Sequence, residues 1–243
     1  MPHDTISVAR TALDGLAGNL IGSYDVDLLT NLRAEDRTGV RKPVDWGPAL
    51  KRTVDVIGAI VLLTTLAPLL LIVALIVKLS SRGPVIFTQM RPGKDLVPFP
   101  MFKFRTMKAS DDFEQEERQR MKNGVFCKDA DDARITPLGR FLRRYSIDEL
   151  PQLVNVLRGE MSLVGPRPIL NCEVDGFDTA VQRCRFSVRP GLTGLWQVSG
   201  RSDTSNVQRL VYDLQYIKSW SLLLDLKLVL RTIPVVLKCQ GAK

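Results

Sequence analysis

Histidine is almost missing from this chain: among 243 residues only His3 carries an imidazole. That excludes a Ser-His-Asp or Cys-His triad and leaves little basis for zinc hydrolase chemistry. A base or nucleophile here has to be a carboxylate, lysine, tyrosine or thiol. Cysteine is sparse too. Cys127, Cys172, Cys184 and Cys239 form no CxxC pair, and no segment ahead of them reads as a signal peptide. Reduced thiols are expected rather than a disulfide frame or a metal knot. No DNA- or RNA-binding signature is visible, so nucleic acid is not an expected partner. Acidic residues are outnumbered, 26 against 34 basic ones, giving a net charge of +8. The excess calls for an anionic partner, a phosphorylated substrate or an acidic membrane surface. Disorder on a global scale is excluded by 45% hydrophobic and 25% charged residues.

One long apolar run is present. From Val56 to Val77 there are 22 residues without a charge. As a helix they span about 33 Å, enough for a hydrocarbon core of about 30 Å. Pro68 lies just past the middle and is expected to kink or break the run. Basic residues flank it almost evenly, Arg37, Arg41, Lys42, Lys51 and Arg52 before, Lys78, Arg82, Arg91 and Lys94 after. A crossing helix has its Lys and Arg biased to one side. Balanced flanks with a central proline fit a re-entrant hairpin whose ends share the cytoplasmic face. Residues 1–44 read as a weakly ordered arm, 45–80 as the membrane element and 81–243 as a cytoplasmic catalytic domain.

Past the run, Val85–Met90 and Phe99–Met107 read as strands around the Pro92-Gly93 turn. Lys103 and Arg105 alternate there with Phe102 and Phe104, separating a basic face from an apolar one. Residues 111–122 read as a solvated, charge-laced helix. Thr136-Pro137 reads as an N-cap with proline at the first helical position, opening a helix through Tyr145. Val188–Arg201, rich in glycine and carrying Arg189 and Arg201, reads as an irregular loop approaching a ligand. Thr204–Lys238 is helical in pattern, and its end, SLLLDLKLVLRTIPVVLK, suits either a helix in the headgroup region or an ordinary core helix. The expected fold class is α+β and mostly helical: a re-entrant membrane helix hairpin, a small catalytic domain with a short β-hairpin, and amphipathic interfacial helices.

The densest chemistry lies in Arg143–Pro168, RRYSIDELPQLVNVLRGEMSLVGPRP. Adjacent carboxylates, Asp148 and Glu149, sit among Arg143, Arg144, Arg158 and Arg167. Ser146 and Glu149 have capping-box spacing, though Pro151 suits a helix that begins at Leu150 or Pro151 with the acidic pair as its cap. Capping alone explains such a pair in many helices. Among arginines, at a helix start, the pair points instead to phosphoryl chemistry.

Six motifs, in order, resemble one family: KRxxD (Lys51, Arg52, Asp55), SRGPVIFTQ (81–89), KFRTM (103–107), SIDELPQL (146–153), MSLVGPRP (161–168) and RPGLTGLWQVSGR (189–201). Over roughly residues 45–242 the chain resembles the monotopic phosphoglycosyl transferases, and most of all the exopolysaccharide-initiating members. The resemblance implies that a UDP-sugar gives its sugar-1-phosphate to a polyprenol phosphate, normally undecaprenyl phosphate, with release of UMP and a need for Mg²⁺. It makes Asp148 the nucleophile and Glu149 its partner in placing Mg²⁺ or handling protons. Lys103, Arg143, Arg167 and Arg201 match phosphate- or nucleotide-binding positions, and Asp213 a further polar site residue. With Arg105 and Arg189 these form the expected substrate-binding set. The implied location is the cytoplasmic face of a bacterial inner membrane, with membrane lipids as partners and a homodimer allowed. Three positions depart from the family pattern: Leu96 stands for a frequent glycine, Ala133 for a proline, and Ala67 for a serine before Pro68. Two other classes compete, a glycosyltransferase that releases UDP and a membrane scaffold with a decayed site. The joint presence of Asp148, Glu149 and Arg167 argues against the second.

Overall fold

Pro68 does not interrupt the apolar run. A computed structural model describes residues 47–108, 121–122, 125–126, 132, 134–174, 179–200 and 206–239, and in it one helix, α1 (Gly47–Ser80), continues through the proline. The expected pair of helices is therefore not seen. A proline removes one hydrogen bond, and the long apolar stretches on both sides keep helical geometry beyond it. Among the described residues α1 is the one helix long and apolar enough to cross a membrane. Its apolar side chains mostly face outward, with Leu71 71% and Leu79 77% exposed. Such a surface calls for lipid rather than water.

Both ends of α1 are tied to the same globular body. At its start, Lys51 Nζ lies 2.7 Å from Asp225 Oδ2, and Arg52 donates to the carbonyls of Val156 and Leu157. At its end, Arg105 donates to the carbonyls of Val77 and Ser81, at 3.0 and 2.6 Å, to that of Pro84, and to the Ser81 hydroxyl. Four orphan carbonyls close any helix, and one guanidinium satisfies two of this end's carbonyls and their continuation.

The hairpin forms as β1 (Ile86–Pro92) and β2 (Pro98–Phe104), antiparallel with Ile86 opposite Phe104 and Pro92 opposite Pro98. A 3-10 turn, Lys94–Leu96, closes it, with Asp95 and Leu96 at φ of 54° and 61°. Residues 121–122 belong to a two-residue strand, β3 (Met121–Lys122), paired with β4 (Val125–Phe126). The rest of the expected charge-laced helix lies outside the described residues, as do the 1–44 arm and Ala133. Helix α2 (Pro137–Arg144) starts where the sequence said, Thr136 accepting from Gly139 N at 2.9 Å. Gly139 sits so tightly against the Thr106 carbonyl that a Cβ would lie 2.0 Å from that oxygen. Leu138 and Leu142 pack with Phe104 on the second half of α1, at Leu70, Val73 and Val77. Phe141 stays 53% exposed.

Helix α3 (Gln152–Arg158) carries Leu153 and Val156 into a core with Phe99, Met101 and Met161, against Ala59 and Leu63 of α1. Then β5 (Ser162–Val164) runs parallel to β6 (Gly191–Thr193). The glycine-rich loop expected over 188–201 is thus part strand and part short helix, α6 (Leu195–Val198). Between strand pair and loop lie α4 (Asn171–Val174) and α5 (Thr179–Arg185). Its glycines serve backbone packing: a Cβ on Gly191 would meet Gly165 N at 2.1 Å. The chain ends in α7 (Asn206–Ser219) and α8 (Leu222–Leu237), the latter capped by Ser221. Val164, Tyr216 and Leu228 join both to β5 in a third core. The expected α+β, mostly helical class holds.

Candidate active site

The acidic pair occupies a 3-10 turn, Ile147–Glu149, between α2 and α3. The capping box does not form. Ser146 takes a left-handed conformation, φ 54°, and makes no side-chain cap bond, while α3 begins only at Gln152. Glu149 is drawn elsewhere. Lys103, on the closing strand of the hairpin, places Nζ 3.2 Å from Glu149 Oε1, and Arg167 places Nη2 2.6 Å from the same oxygen and Nη1 3.2 Å from Oε2. Both cations are largely buried, so these are charge-assisted contacts in a low-dielectric pocket.

Asp148 is 7% exposed. Burial first, and the Glu149 charge second, push its carboxyl above the usual carboxylate range, against the pull of Lys103, Arg143 and Arg167. Arg143 sits on the α2 side, its Nε 2.9 Å from the Thr106 hydroxyl. Burial likewise lowers the Lys103 ammonium, although Glu149 and Asp148 hold it up. The structure therefore gathers five expected residues in one place: Asp148, Glu149, Lys103, Arg143 and Arg167.

Three others are committed elsewhere. Arg105 closes the end of α1, as described. Arg189 donates from Nε to the Gly159 carbonyl at 2.6 Å, finishing the C-terminus of α3. Asp213 is 1% exposed and locked to Arg185, whose Nε and Nη2 lie 3.1 and 2.9 Å from Oδ2. It also accepts from the Arg167 backbone N–H. Arg185 Nη2 in turn donates to the Arg167 carbonyl at 2.6 Å. In these contacts the three residues hold the frame of the domain. Arg201 lies outside the described residues.

Sequence reasoning missed Arg185 altogether, because an arginine in RCRFSVR carries no local mark of its burial. It also missed Trp196. The Arg167 guanidinium lies 5.6 Å from that ring's centroid, and Arg209 flanks the same ring at 6.0 Å while pairing with Glu173 at 2.6 Å. A cation over the Trp196 ring is attracted by its face, which adds to the hold on Arg167 beside Glu149.

A metal ion here would have two adjacent protein carboxylates. No cluster of three or more ligating side chains exists among the described residues. Mg²⁺ takes oxygen ligands and commonly uses one or two carboxylates together with substrate phosphates and water. Asp148 and Glu149 are of the right type for that donor set, Glu149 sharing its oxygens with Lys103 and Arg167.

The Bacterial sugar transferase family model matches residues 46–239. The chain belongs to that family. This sugar transferase is 42% identical over 211 residues to the exopolysaccharide production protein ExoY of Sinorhizobium fredii, covering 84% of this chain and 92% of that protein. It is 46% identical over 199 residues to the UDP-glucose:undecaprenyl-phosphate glucose-1-phosphate transferase of Caulobacter vibrioides, covering 79% and 71%. With the undecaprenyl-phosphate galactose phosphotransferase of Salmonella typhimurium it shares 40% over 199 residues, 79% of this chain but 41% of that one. The sugar transferase is accordingly an enzyme of the phosphoglycosyl transferase type, and membrane-associated through α1.

Proposed function

We propose that the enzyme moves a hexose-1-phosphate from a UDP-sugar to undecaprenyl phosphate, releasing UMP, through a covalent intermediate on Asp148. The hexose is glucose or galactose, the sugars in the names of its relatives. The observation that carries this reading is the division of labour in the acidic pair: Lys103 and Arg167 bind Glu149, and act on Asp148 only through space. In the first step an Asp148 oxygen attacks the phosphorus that bears the sugar. The bond from that phosphorus to the bridging oxygen breaks, and UMP leaves with the electron pair. In the second step a phosphate oxygen of the lipid attacks the same phosphorus, the acyl phosphate bond breaks, and the carboxylate is regenerated. A covalent step of this kind divides one difficult displacement into two. Arg167, Lys103 and Arg143 line the place where diphosphate charge would collect. Asp148 and Glu149 would hold Mg²⁺, which supplies further positive charge on the phosphates when bound.

The test is a donor-only reaction. Enzyme mixed with UDP-glucose or UDP-galactose should release about one equivalent of UMP before any lipid is added, and mass spectrometry should place a hexose-phosphate on the Asp148 peptide. Release only with lipid present would mean direct transfer, and release of UDP would mean a glycosyltransferase. EDTA should abolish the reaction.

The same reading sets the protein on the cytoplasmic face of a bacterial inner membrane, with α1 as a re-entrant element whose two ends share that face. Its support is that both ends of α1 are hydrogen-bonded to one globular body, which a bilayer between the ends would forbid. Cysteines placed at Ala49 and Arg82 should both resist an impermeant thiol reagent in intact cells. Labelling of one and not the other would mean that the helix crosses.

A further inference from the structure

Three charged residues near the start of the apolar helix each reach a different part of the globular body. Arg52 Nη1 and Nη2 lie 2.5 and 2.8 Å from the carbonyls of Val156 and Leu157, in the last turn of α3. Asp55, 4% exposed, accepts with Oδ1 from the Ser162 hydroxyl at 3.0 Å and from Leu163 N at 2.9 Å, both in β5. Lys51 pairs with Asp225 of α8, which also accepts from Tyr216 and Trp220 at 2.8 and 3.2 Å.

What makes this grouping functional is where those elements lead. Helix α3 begins three residues after Glu149, and its seven residues are about 10 Å long, so a hold on its C-terminus fixes where the acidic pair sits. Strand β5 ends three residues before Arg167. The Glu149–Arg167 contact is thus made just beyond the ends of two elements whose opposite ends are held by one turn of α1, with the Arg167 backbone held in addition by Arg185 and Asp213. A helix turn is stiff, and Arg52 and Asp55 stand three positions apart on one face of it. We infer that Arg52 and Asp55 are positioning residues, forming a bracket that sets the separation between Glu149 and Arg167. Because the bracket belongs to the membrane helix, the order of that helix is transmitted to the site.

The inference rests on the proposed reaction, and the experiment separates the two. Full-length enzyme in lipid nanodiscs is assayed for UMP release with UDP-sugar and undecaprenyl phosphate. A silent wild type would sink the proposed reaction and leave the bracket to the structural readout. That readout is amide hydrogen exchange of the peptide 161–168. Asp55→Asn keeps an acceptor for both donors, so it should hold at least half of the wild-type kcat and normal protection. Asp55→Ala should lose kcat at least tenfold, keep the donor KM within threefold, and expose the peptide. Arg52→Lys, which keeps the charge but not the two-pronged grip, should also lose kcat at least fivefold; it decides the matter if Asp55→Ala does not fold. Wild-type kcat in Arg52→Lys, or equal damage from Asp55→Asn and Asp55→Ala, would overturn the bracket.

Discussion

Arg167 holds Glu149 with both terminal nitrogens, 2.6 Å from Oε1 and 3.2 Å from Oε2, while the neighbouring Asp148 is left to the field of the same cations. Two adjacent carboxylates therefore have opposite thermodynamic standing. Glu149 is the counter-ion that lets two cations stay buried. Asp148 is a carboxylate whose burial outweighs its attractions.

Opposite effects on stability follow. Glu149→Gln leaves Arg167 and Lys103 without their counter-charge and should cost about 2–4 kcal/mol, near the lower end of what breaking a buried ion pair costs. Asp148→Asn removes a charge the fold disfavours and should stabilise by about 1 kcal/mol, raising Tm by roughly 2–4 °C. The sign has a pH signature. Asp148 has a folded pKa above its unfolded one, so its penalty is absent below about pH 4, grows as pH rises, and is complete above the folded pKa. The Tm gain of Asp148→Asn should grow over that window, and a gain that shrinks with rising pH would contradict it.

Activity should carry the same mark. A nucleophilic carboxylate must be ionised, so the rate of the donor-only UMP burst should fall on the acid side, with bound Mg²⁺ displacing that limb downward and the protein's own groups displacing it upward. Burial is the larger cause of the upward displacement and Glu149 the next. Glu149→Gln should slow the burst and also move its acid limb downward. Rapid-quench measurement across pH checks this, and an unmoved limb would remove Glu149 from the cause.

Leu96 is a residue whose backbone is in the wrong region for its side chain, φ 61° with 43% exposure. A left-handed conformation costs an L-residue about 1–2 kcal/mol, and glycine nothing. Against this stand the lost contacts of a half-exposed leucine and the greater freedom of an unfolded glycine. Leu96→Gly should gain about 0.5 kcal/mol net in thermal melts. Destabilisation would show that the Leu96 side chain makes an interaction worth more than the strain.

The elements announced by local chemistry were legible in the sequence. Thr136-Pro137 capped α2 because hydroxyl and ring act on adjacent peptide units. The hairpin and the amphipathic end followed from periods of two and of 3.6. Side chains acting at long range were not legible. Arg105 looked like the neighbour of Lys103 on a basic face, yet its guanidinium reaches carbonyls 21 to 28 residues earlier, at the end of α1 and just beyond it. Arg189, read as one of two arginines in a loop near a ligand, donates to the Gly159 carbonyl, and Asp213, named only through the family resemblance, pairs with Arg185 and the Arg167 amide. Spacing along a chain does not say which backbone groups a guanidinium will find. Glycine in 191–194 was read as freedom near a ligand, whereas Gly191 serves the close approach to Gly165.

Helix α8 gives the last prediction. Leu223, Leu226, Leu230, Ile233 and Leu237 are each more than half exposed and fall on one side of the helix. Lys227, Arg231 and Lys238 run along the neighbouring edge, also exposed. The opposite side, with Asp225 and Leu228, is buried against β5 and α7. Of the two roles open to this segment, a core helix would bury its leucines, so the exposed stripe favours the headgroup region. Each cation near an anionic surface contributes about 1 kcal/mol. Reversing Lys227 and Arg231 to glutamate should therefore shift the docked population by at least about thirtyfold, while α1 keeps the protein in the bilayer. An environment-sensitive fluorophore on a cysteine at Ile233, in phosphatidylglycerol nanodiscs, reads this directly. It should emit as if in an apolar medium in the otherwise unaltered protein and shift toward its aqueous spectrum in the double reversal. Water-like emission before any charge is reversed would mean that α8 faces the cytoplasm, and its apolar stripe would then need a protein to cover it.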